Sequence, residues 1–305
     1  MKKIFITGIS GCVGHYVFDV LKNNPDYQLY LLVRDEKKLK FNPQQFDNVT
    51  IIKDDLVNIS KHANLIKNMN YVVHIAAQWG GQEGNYDYTL ALFNLLDPDQ
   101  CEKVLYFSTA SILDQNNQAI EEAEKYGTHY IYSKAQLHKK LPELKIYPNV
   151  ITLFPTWVLG GDSQHPYSHA SAGIVNIRKW LWLLRFLTVD VSFHYIHSQD
   201  IAKIVGYLLA NKTKEHEYVL GNDNITATNF IRQTCQFFKA RVYFQIPIPL
   251  WLVKALAKIS GNKLHPWDLF CFKKKYFQHK TVNAASFGLE SNLQTVQQII
   301  ASLLS

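Results

Sequence analysis

Near its start the chain runs Lys3-Ile-Phe-Ile-Thr7 and then breaks into Gly8, Gly11 and Gly14, three glycines at intervals of three. An apolar run that ends on glycine reads as a buried strand, and residues 12–23 read as a helix. A strand, a glycine turn and a helix are the part of a βαβ unit that cradles a dinucleotide pyrophosphate. Glycine lets the backbone approach the phosphates, and the first helical turn offers unbonded N–H groups at the positive end of its dipole. The spacing differs from G-x-G-x-x-G, so the strand and helix around it carry the reading. Gly8, Gly11, Cys12, Val13 and Gly14 are therefore expected to line a dinucleotide.

The same rhythm continues downstream. Apolar runs at 28–33, 49–52, 71–75, 103–107 and 149–153 read as strands, and the segments between them have helical spacing or turn residues. This alternation predicts an α/β fold, a Rossmann-type doubly wound parallel sheet that binds its ligand beyond the carboxyl ends of the strands. Past residue 160 the rhythm loosens. A His/Ser/Pro-rich loop follows Gly160-Gly161-Asp162, residues 194–210 read as a strand then a helix, and 244–305 read as mostly helical. The expected organisation is a dinucleotide-binding domain over 1–160, rejoined by 195–220, and a smaller, mostly helical C-terminal substrate domain over 161–305.

Composition excludes several classes. With 305 residues and 47% hydrophobic content the chain can bury a large core. No stretch approaches the ~20 apolar residues of a membrane span, and the first apolar run is interrupted by glycines and Asp19, unlike a secretory leader. Cys12, Cys101, Cys235 and Cys271 lack metal-type spacing and point to a reduced, cytoplasmic setting. The net charge of +7, from 27 lysines and five arginines, reads as spread along the chain. It favours anionic ligands in general, and without a basic block interleaved with aromatics it makes no case for nucleic acid. His194, His197 and Asp200 have the residue types of a metal site, but Asp200 before an apolar helix reads as an N-cap, so no metal is expected. Residues 178–187 and 249–259 are apolar with interspersed bases. They read as an amphipathic lid or as a helix pairing two copies in a homodimer, ahead of a membrane-surface helix.

The type of dinucleotide is argued from the end of the second strand. An acidic side chain there accepts from a ribose 2′-hydroxyl, whereas arginine accommodates a 2′-phosphate. Here Arg34 follows the strand, with Lys37 and Lys38 close behind, and a planar guanidinium suits phosphate. NADP is the expected cofactor. Asp35 follows at once, so NAD stays open. Asp54-Asp55-Leu56 follows the third strand, where a carboxylate would lie near the adenine amino group.

The chemistry is expected further along. Strand 103–107 ends in Ser108-Thr109-Ala110-Ser111, hydroxyls at the edge where a nicotinamide lies. Tyr130 and Lys134 are four apart, on one face of a helix. A Tyr-x-x-x-Lys pair alone means little, and Tyr276 with Lys280 is a second match that follows no glycine turn. In context, Tyr130 would pass a proton to or from a substrate oxygen, and Lys134 would favour its phenolate by charge. Thr109, ahead of Ser111, would bond the same oxygen. His74 at the end of the fourth strand reads as a structural hydrogen-bonder.

With these motifs in place the chain resembles an extended short-chain dehydrogenase/reductase of the NAD-dependent epimerase/dehydratase superfamily. The matching runs are Thr7-Gly8-x-x-Gly11-x-x-Gly14, His74-Ile-Ala-Ala77, Ser108-Thr109, Tyr130-x-x-Ser133-Lys134, Pro155-Thr-Trp-Val-Leu-Gly160 and Ile196-His-Ser-Gln-Asp200, in family order across residues 1–210. The resemblance implies Thr109, Tyr130 and Lys134 as the catalytic set. It also implies Arg34, Asp55, Ala76 and Ala77 along the cofactor, and the backbone at Pro155 against the nicotinamide. Three positions depart from it: Tyr88 stands near the usual asparagine, Ile112-Leu113-Asp114 replaces Val-Tyr-Gly, and Phe154 replaces an arginine.

These departures sort the subfamilies. The acid–base pair of sugar-nucleotide dehydratases is replaced by Ala110 and Ser111, and arginines for a substrate diphosphate are few. The expected pocket wall is aromatic, with Gln78, Trp79, Ser111, Phe154 and Trp157, and Trp180 or Trp182 beyond them. Such a wall favours a small organic carbonyl or alcohol. The expectation is an NADP-dependent oxidoreductase of a small molecule. The alternatives are an NAD(P)-dependent sugar-nucleotide epimerase and a non-catalytic dinucleotide sensor, the latter having no need of a proton donor.

Overall fold

The computed structural model describes residues 1–77, 85–177, 180–249, 251–252 and 264–304. Seven strands form one sheet: β1 (Lys2–Thr7), β2 (Tyr27–Val33), β3 (Val49–Lys53), β4 (Tyr71–His74), β5 (Lys103–Phe107), β6 (Val150–Pro155) and β7 (Glu217–Leu220). They pair in parallel throughout, in the order β3-β2-β1-β4-β5-β6-β7. The Rossmann-type doubly wound sheet expected from the sequence is the one observed.

Parallel strands buried on both faces read as continuous apolar runs because alternate side chains enter two cores. Ile4 and Ile6 of β1, with Leu29, Leu31 and Val73, face α1 (Cys12–Leu21), whose Val17, Phe18 and Leu21 fill the gap. Phe5, Val72, Val104 and Tyr106 face the other way, against α2 (Asp87–Leu95) and α3 (His129–Lys140), with Leu92, Phe93 and Leu137. The first face is completed by α4 (Ser198–Ala210), which brings Ile201, Ile204, Val205 and Leu208 beside α1. Each such side chain contributes roughly 1.5–3 kcal/mol on burial.

Beyond the sheet, α5 (Ala227–Phe237) and α7 (Val296–Leu303) enclose a separate small core, whereas α6 (Pro266–Lys274) packs its Trp267 into the cluster of Ile112, Ile131, Phe154 and Val219. Phe230 of α5 and Val296, Ile299, Ile300 and Leu303 of α7 meet Leu159 and Tyr195 in the small core. The described part of 244–305 is less helical than its composition promised. Residue Lys275 turns to φ +58° and stops α6, and Gly288 at φ +70° closes a short 3-10 turn over Ala284–Phe287.

Because β1 lies between β2 and β4, consecutive crossovers leave in opposite directions and open a crevice above β1 and β4, where doubly wound sheets hold their ligands. Two glycines make that crevice. Gly8 has φ +76°, and a Cβ on it would lie 2.6 Å from the Ala76 nitrogen. A Cβ on Gly14 would lie 2.3 Å from the Gly8 carbonyl oxygen and 2.6 Å from Ile9 Cα. Both collisions are with backbone, which cannot swing aside. Gly14→Ala is accordingly expected to lower unfolding free energy by about 1–3 kcal/mol and to weaken dinucleotide binding; a urea curve and a fluorescence titration unchanged from wild type would contradict this packing.

Candidate active site

The rim of the crevice is built from backbone. Gly11 is the N-cap of α1, extended at φ −87° and ψ 174°, and no side chain caps the helix. The first-turn N–H groups at Cys12, Val13 and Gly14 thus lie at an uncapped helix start, which suits an anion. Gly11 is exposed, Val13 half-buried and Gly14 buried. The half-buried Cys12 thiol meets Ser198 Oγ at 3.2 Å, and burial pushes it up to about 11. Across the crevice the Ala76 N–H donates to Thr7 Oγ1 at 3.3 Å, and Ala77 beyond it is exposed. Thr7 Oγ1 also bonds His74 Nδ1 at 2.7 Å, and His74 Nε2 bonds Thr89 Oγ1 at 2.7 Å. Burial drives His74 down to about 3, so it is a neutral bridge joining β1, β4 and α2. Sequence reasoning missed Thr89, which stands one position after Tyr88.

At the end of β2, Arg34 is exposed and its Nη1 lies 3.5 Å from Asp55 Oδ2. Asp35 accepts from the Lys37 N–H at 3.1 Å, so that carboxylate is engaged in a short 3-10 turn over Glu36–Lys38. Asp54 is tied to its own loop through Asn58 and His62, at 2.8 and 2.9 Å, and those bonds with the Asp55 N–H hold it down at about 2. Asp55 is the N-cap residue of the 3-10 turn that begins at Leu56, which is half-buried.

Past the end of β5, Thr109 is the N-cap of a 3-10 turn over Ala110–Ile112, and its Oγ1 accepts from the Ser111 N–H at 3.3 Å. The Thr109 hydroxyl is also hydrogen-bonded to Tyr130, which α3 delivers to the same place. Thr128 caps α3 by accepting from the Ile131 N–H, which fixes the turn on which Tyr130 stands. One helical turn on, Lys134 is fully buried; its Nζ donates to the Phe107 carbonyl at 2.6 Å and sits 4.6 Å from the centre of the Tyr106 ring. Among the described residues no carboxylate pairs with it, and burial brings it down to about 7. Burial likewise pushes the Tyr130 phenol up to about 12, against a hydrogen bond from Thr109 that favours the phenolate. The expected lowering of Tyr130 by Lys134 is thus corrected: desolvation is the larger influence, and Lys134 is not among the groups that move it. A phenol in this state keeps its proton at neutral pH and can give it up only to an acceptor in contact.

The expected aromatic wall is only partly assembled. Gln78 and Trp79 lie outside the described residues. Ser111 is half-buried beside Thr109. Phe154 is fully buried in the core, edge-on to His138 at 5.3 Å, so it lines no pocket. Its neighbour Pro155 ends β6 and is buried as well. Trp157 is partly exposed and packs against Phe193 and Phe230 at 5.2 and 5.4 Å. Trp180 and Trp182 point to solvent instead of into a wall. Asp200 is not the N-cap of α4; His197 takes that place by accepting from the Gln199 N–H, and Asp200 accepts from Ser291 at 2.7 Å. His194 bonds the Asn222 carbonyl, so the three candidate metal ligands have separate partners. Tyr276 is exposed on Asp190, apart from any helix.

Residues 4–221 match the model of the NAD dependent epimerase/dehydratase family. Among solved structures, UDP-N-acetylglucosamine 4-epimerase from Methanobrevibacter ruminantium M1 superposes with a TM-score of 0.66 at 16% identity, over 99% of this chain and 96% of that one. The dTDP-glucose 4,6-dehydratase from Bacillus anthracis str. Ames, in complex with NAD, gives 0.68 at 15% identity over 99% and 96%. The enzyme WbmG from Bordetella bronchiseptica, also in complex with NAD, gives 0.68 at 13% over 98% and 92%. At these identities the likeness is one of fold. A search of curated proteins gave no match.

The buried Lys134 has a thermodynamic signature. Its value is about 7 folded against 10.5 for an ordinary lysine. Below pH 7 both states are charged and the folded protein bears the whole desolvation cost; between pH 7 and about 10 the unfolded chain alone holds the proton, so stability rises with pH. Lys134→Met should stabilise the ligand-free protein by roughly 1–3 kcal/mol at pH 7 and flatten that rise in urea denaturation. A wild-type curve that is flat over this window counts against the buried ammonium.

Proposed function

The chain belongs to the NAD dependent epimerase/dehydratase family, and within it we propose that the protein is an NADP-dependent oxidoreductase acting on a small organic carbonyl or alcohol. The observation that carries this reading is the pairing of a protonated Tyr130 phenol with Thr109 at the carboxyl end of β5. A donor held at about 12 is an acid in search of a base, which suits protonation of a carbonyl oxygen as it gains electron density. Thr109 shares that oxygen and orients it. Ser111, next in the turn, and Trp157 are the nearby candidates for contact with the rest of the substrate.

The crevice fits a dinucleotide: Gly8 and Gly14 leave space that a Cβ would fill, and α1 starts without a side-chain cap. Gly8, Gly11, Cys12, Val13 and Gly14 would hold the pyrophosphate. Ala76, Ala77 and Pro155 would border the ribose and nicotinamide, and Asp55 and Leu56 the adenine. When bound, the nicotinamide supplies or accepts the hydride. Lys134, anchored under the sheet end, would contact the nicotinamide ribose from α3. Arg34 with Lys37 and Lys38 would meet a 2′-phosphate, and the engagement of Asp35 in its own turn supports NADP over NAD. The NAD-complexed neighbours keep NAD in view for this chain. Four unpaired thiols suit a reducing, cytoplasmic compartment.

A sugar-nucleotide epimerase is the second reading, favoured by the fold likeness to the epimerase of M. ruminantium. It differs in outcome: a retained cofactor and UDP-sugar interconversion with no net change in nicotinamide absorbance. A non-catalytic sensor would leave Tyr130 without a task.

Tyr130→Phe should lower turnover by at least about a hundredfold with affinity for NADPH kept within about twofold, read by absorbance at the nicotinamide band and by fluorescence titration. An active variant removes Tyr130 from the chemistry. Arg34→Ala should weaken NADPH by about tenfold or more while leaving NADH nearly unchanged; equal losses for both would refute 2′-phosphate recognition.

A further inference from the structure

The positive charge expected to be spread along the chain has its net excess concentrated in two segments. Residues 178–189 and 224–267 carry nine of the 32 lysines and arginines and none of the 25 acids, so the rest of the chain is net −2. The fold lays parts of these two segments side by side. Leu187–Thr188 pairs with Ile246–Pro247, the Ile246 N–H donates to the Phe186 carbonyl at 2.8 Å, and the Ile248 N–H donates to the Thr188 carbonyl at 2.7 Å. Rings of Phe186 and Phe244 meet at 5.1 Å, and Arg185 Nη1 donates to the Arg241 carbonyl at 3.4 Å.

Along these two paired segments large apolar side chains stand in water: Trp182 is 64% exposed, Trp251 69% and Tyr243 73%, with Trp180, Phe244 and Ile246 exposed in the same segments. A concentration of this kind marks an interaction site. Next to it lies an open cavity of about 460 Å³ lined by Arg232, Lys239, Arg241, Gln236 and Tyr243, without an acid. The end of α5 carries about half a negative charge; three cations exceed what it needs.

We propose that this surface docks the protein on an anionic phospholipid bilayer, with the aromatic side chains at headgroup level and a lipid phosphate in the Arg232/Lys239/Arg241 cavity. Trp and Tyr prefer the membrane interface, where one end of the ring is apolar and the other wet. Lysines and arginines near an anionic leaflet add attraction that salt screens. Leu183 and Ile246 among the rings suit acyl chains better than nucleic-acid bases. Among the described residues no helix is long and apolar enough to cross a membrane, so the contact is peripheral. The inference stands apart from the oxidoreductase reading, since none of these residues is placed at the crevice.

The test is sedimentation of the full chain with vesicles of phosphatidylcholine alone and of phosphatidylcholine mixed with phosphatidylglycerol. Binding is expected to the anionic vesicles only, with a blue shift of tryptophan fluorescence, quenching by brominated acyl chains, and loss in about 1 M salt, where the Debye length is about 3 Å. Lys239→Glu with Arg241→Glu, and separately Trp182→Ser with Trp251→Ser, should each reduce the bound fraction at least about tenfold while NADPH affinity holds. Failure of the wild type to bind anionic vesicles overturns the proposal. So does a variant pair that keeps its dinucleotide affinity and still binds vesicles fully. Binding that free inorganic phosphate or duplex DNA abolishes at low concentration, without lipid quenching, overturns it in favour of a soluble anion or nucleic acid. If the aromatic variants instead split a dimer, with no vesicle binding by the wild type, the face belongs to a second copy and the proposal falls.

Discussion

A single buried amine orders the chemistry of this molecule. Lys134 reaches from α3 to the Phe107 carbonyl at the last residue of β5. An amine sealed in that position is costly, and the ring of Tyr106 beneath it returns part of the cost as a cation–π contact. In exchange it fixes the helix against the strand end, which brings Tyr130 to Thr109. Neither side chain could be placed by its own segment: Thr109 belongs to a turn after a strand, and Tyr130 to a helix twenty residues later.

The same division of labour is seen in the crevice. The dinucleotide cradle is nearly all backbone, held close by two residues without Cβ atoms, while orientation is left to hydrogen-bonded side chains behind it. His74 is the clearest example. It is buried, neutral and bonded at both nitrogens, so it braces the strand that ends beside the cradle and takes no part in proton transfer.

What could be read from the sequence was what local pattern dictates. The five apolar runs appear as strands within a residue or two, because a parallel strand buried on both faces leaves no polar alternation to confuse its limits. The glycine turn and the Tyr130/Lys134 spacing were legible for a similar reason: each is set within one or two elements. What depended on tertiary surroundings was not. The desolvation that raises Tyr130 comes from neighbours distant in sequence, Phe154 is core because β6 lies in the interior of the sheet, and the N-cap of α4 passed from Asp200 to His197 because a short strand over Tyr195–His197 runs straight into the helix at Ser198. The charge was legible as a sum but not as a pattern until two segments about sixty residues apart were seen to pair.

Strand order has a consequence for how the protein is made. β1 lies inside the sheet between β2 and β4, and β1 to β4 all end before residue 75, so the glycine turn and the strand ends beside it are complete in the chain by Ala77. The proton-bearing pair arrives some fifty residues later, and the outermost strand, β7, closes its edge only after residue 220. Assembly can therefore spread from this four-stranded unit through β5 and β6 to β7, in the order in which the strands are synthesised.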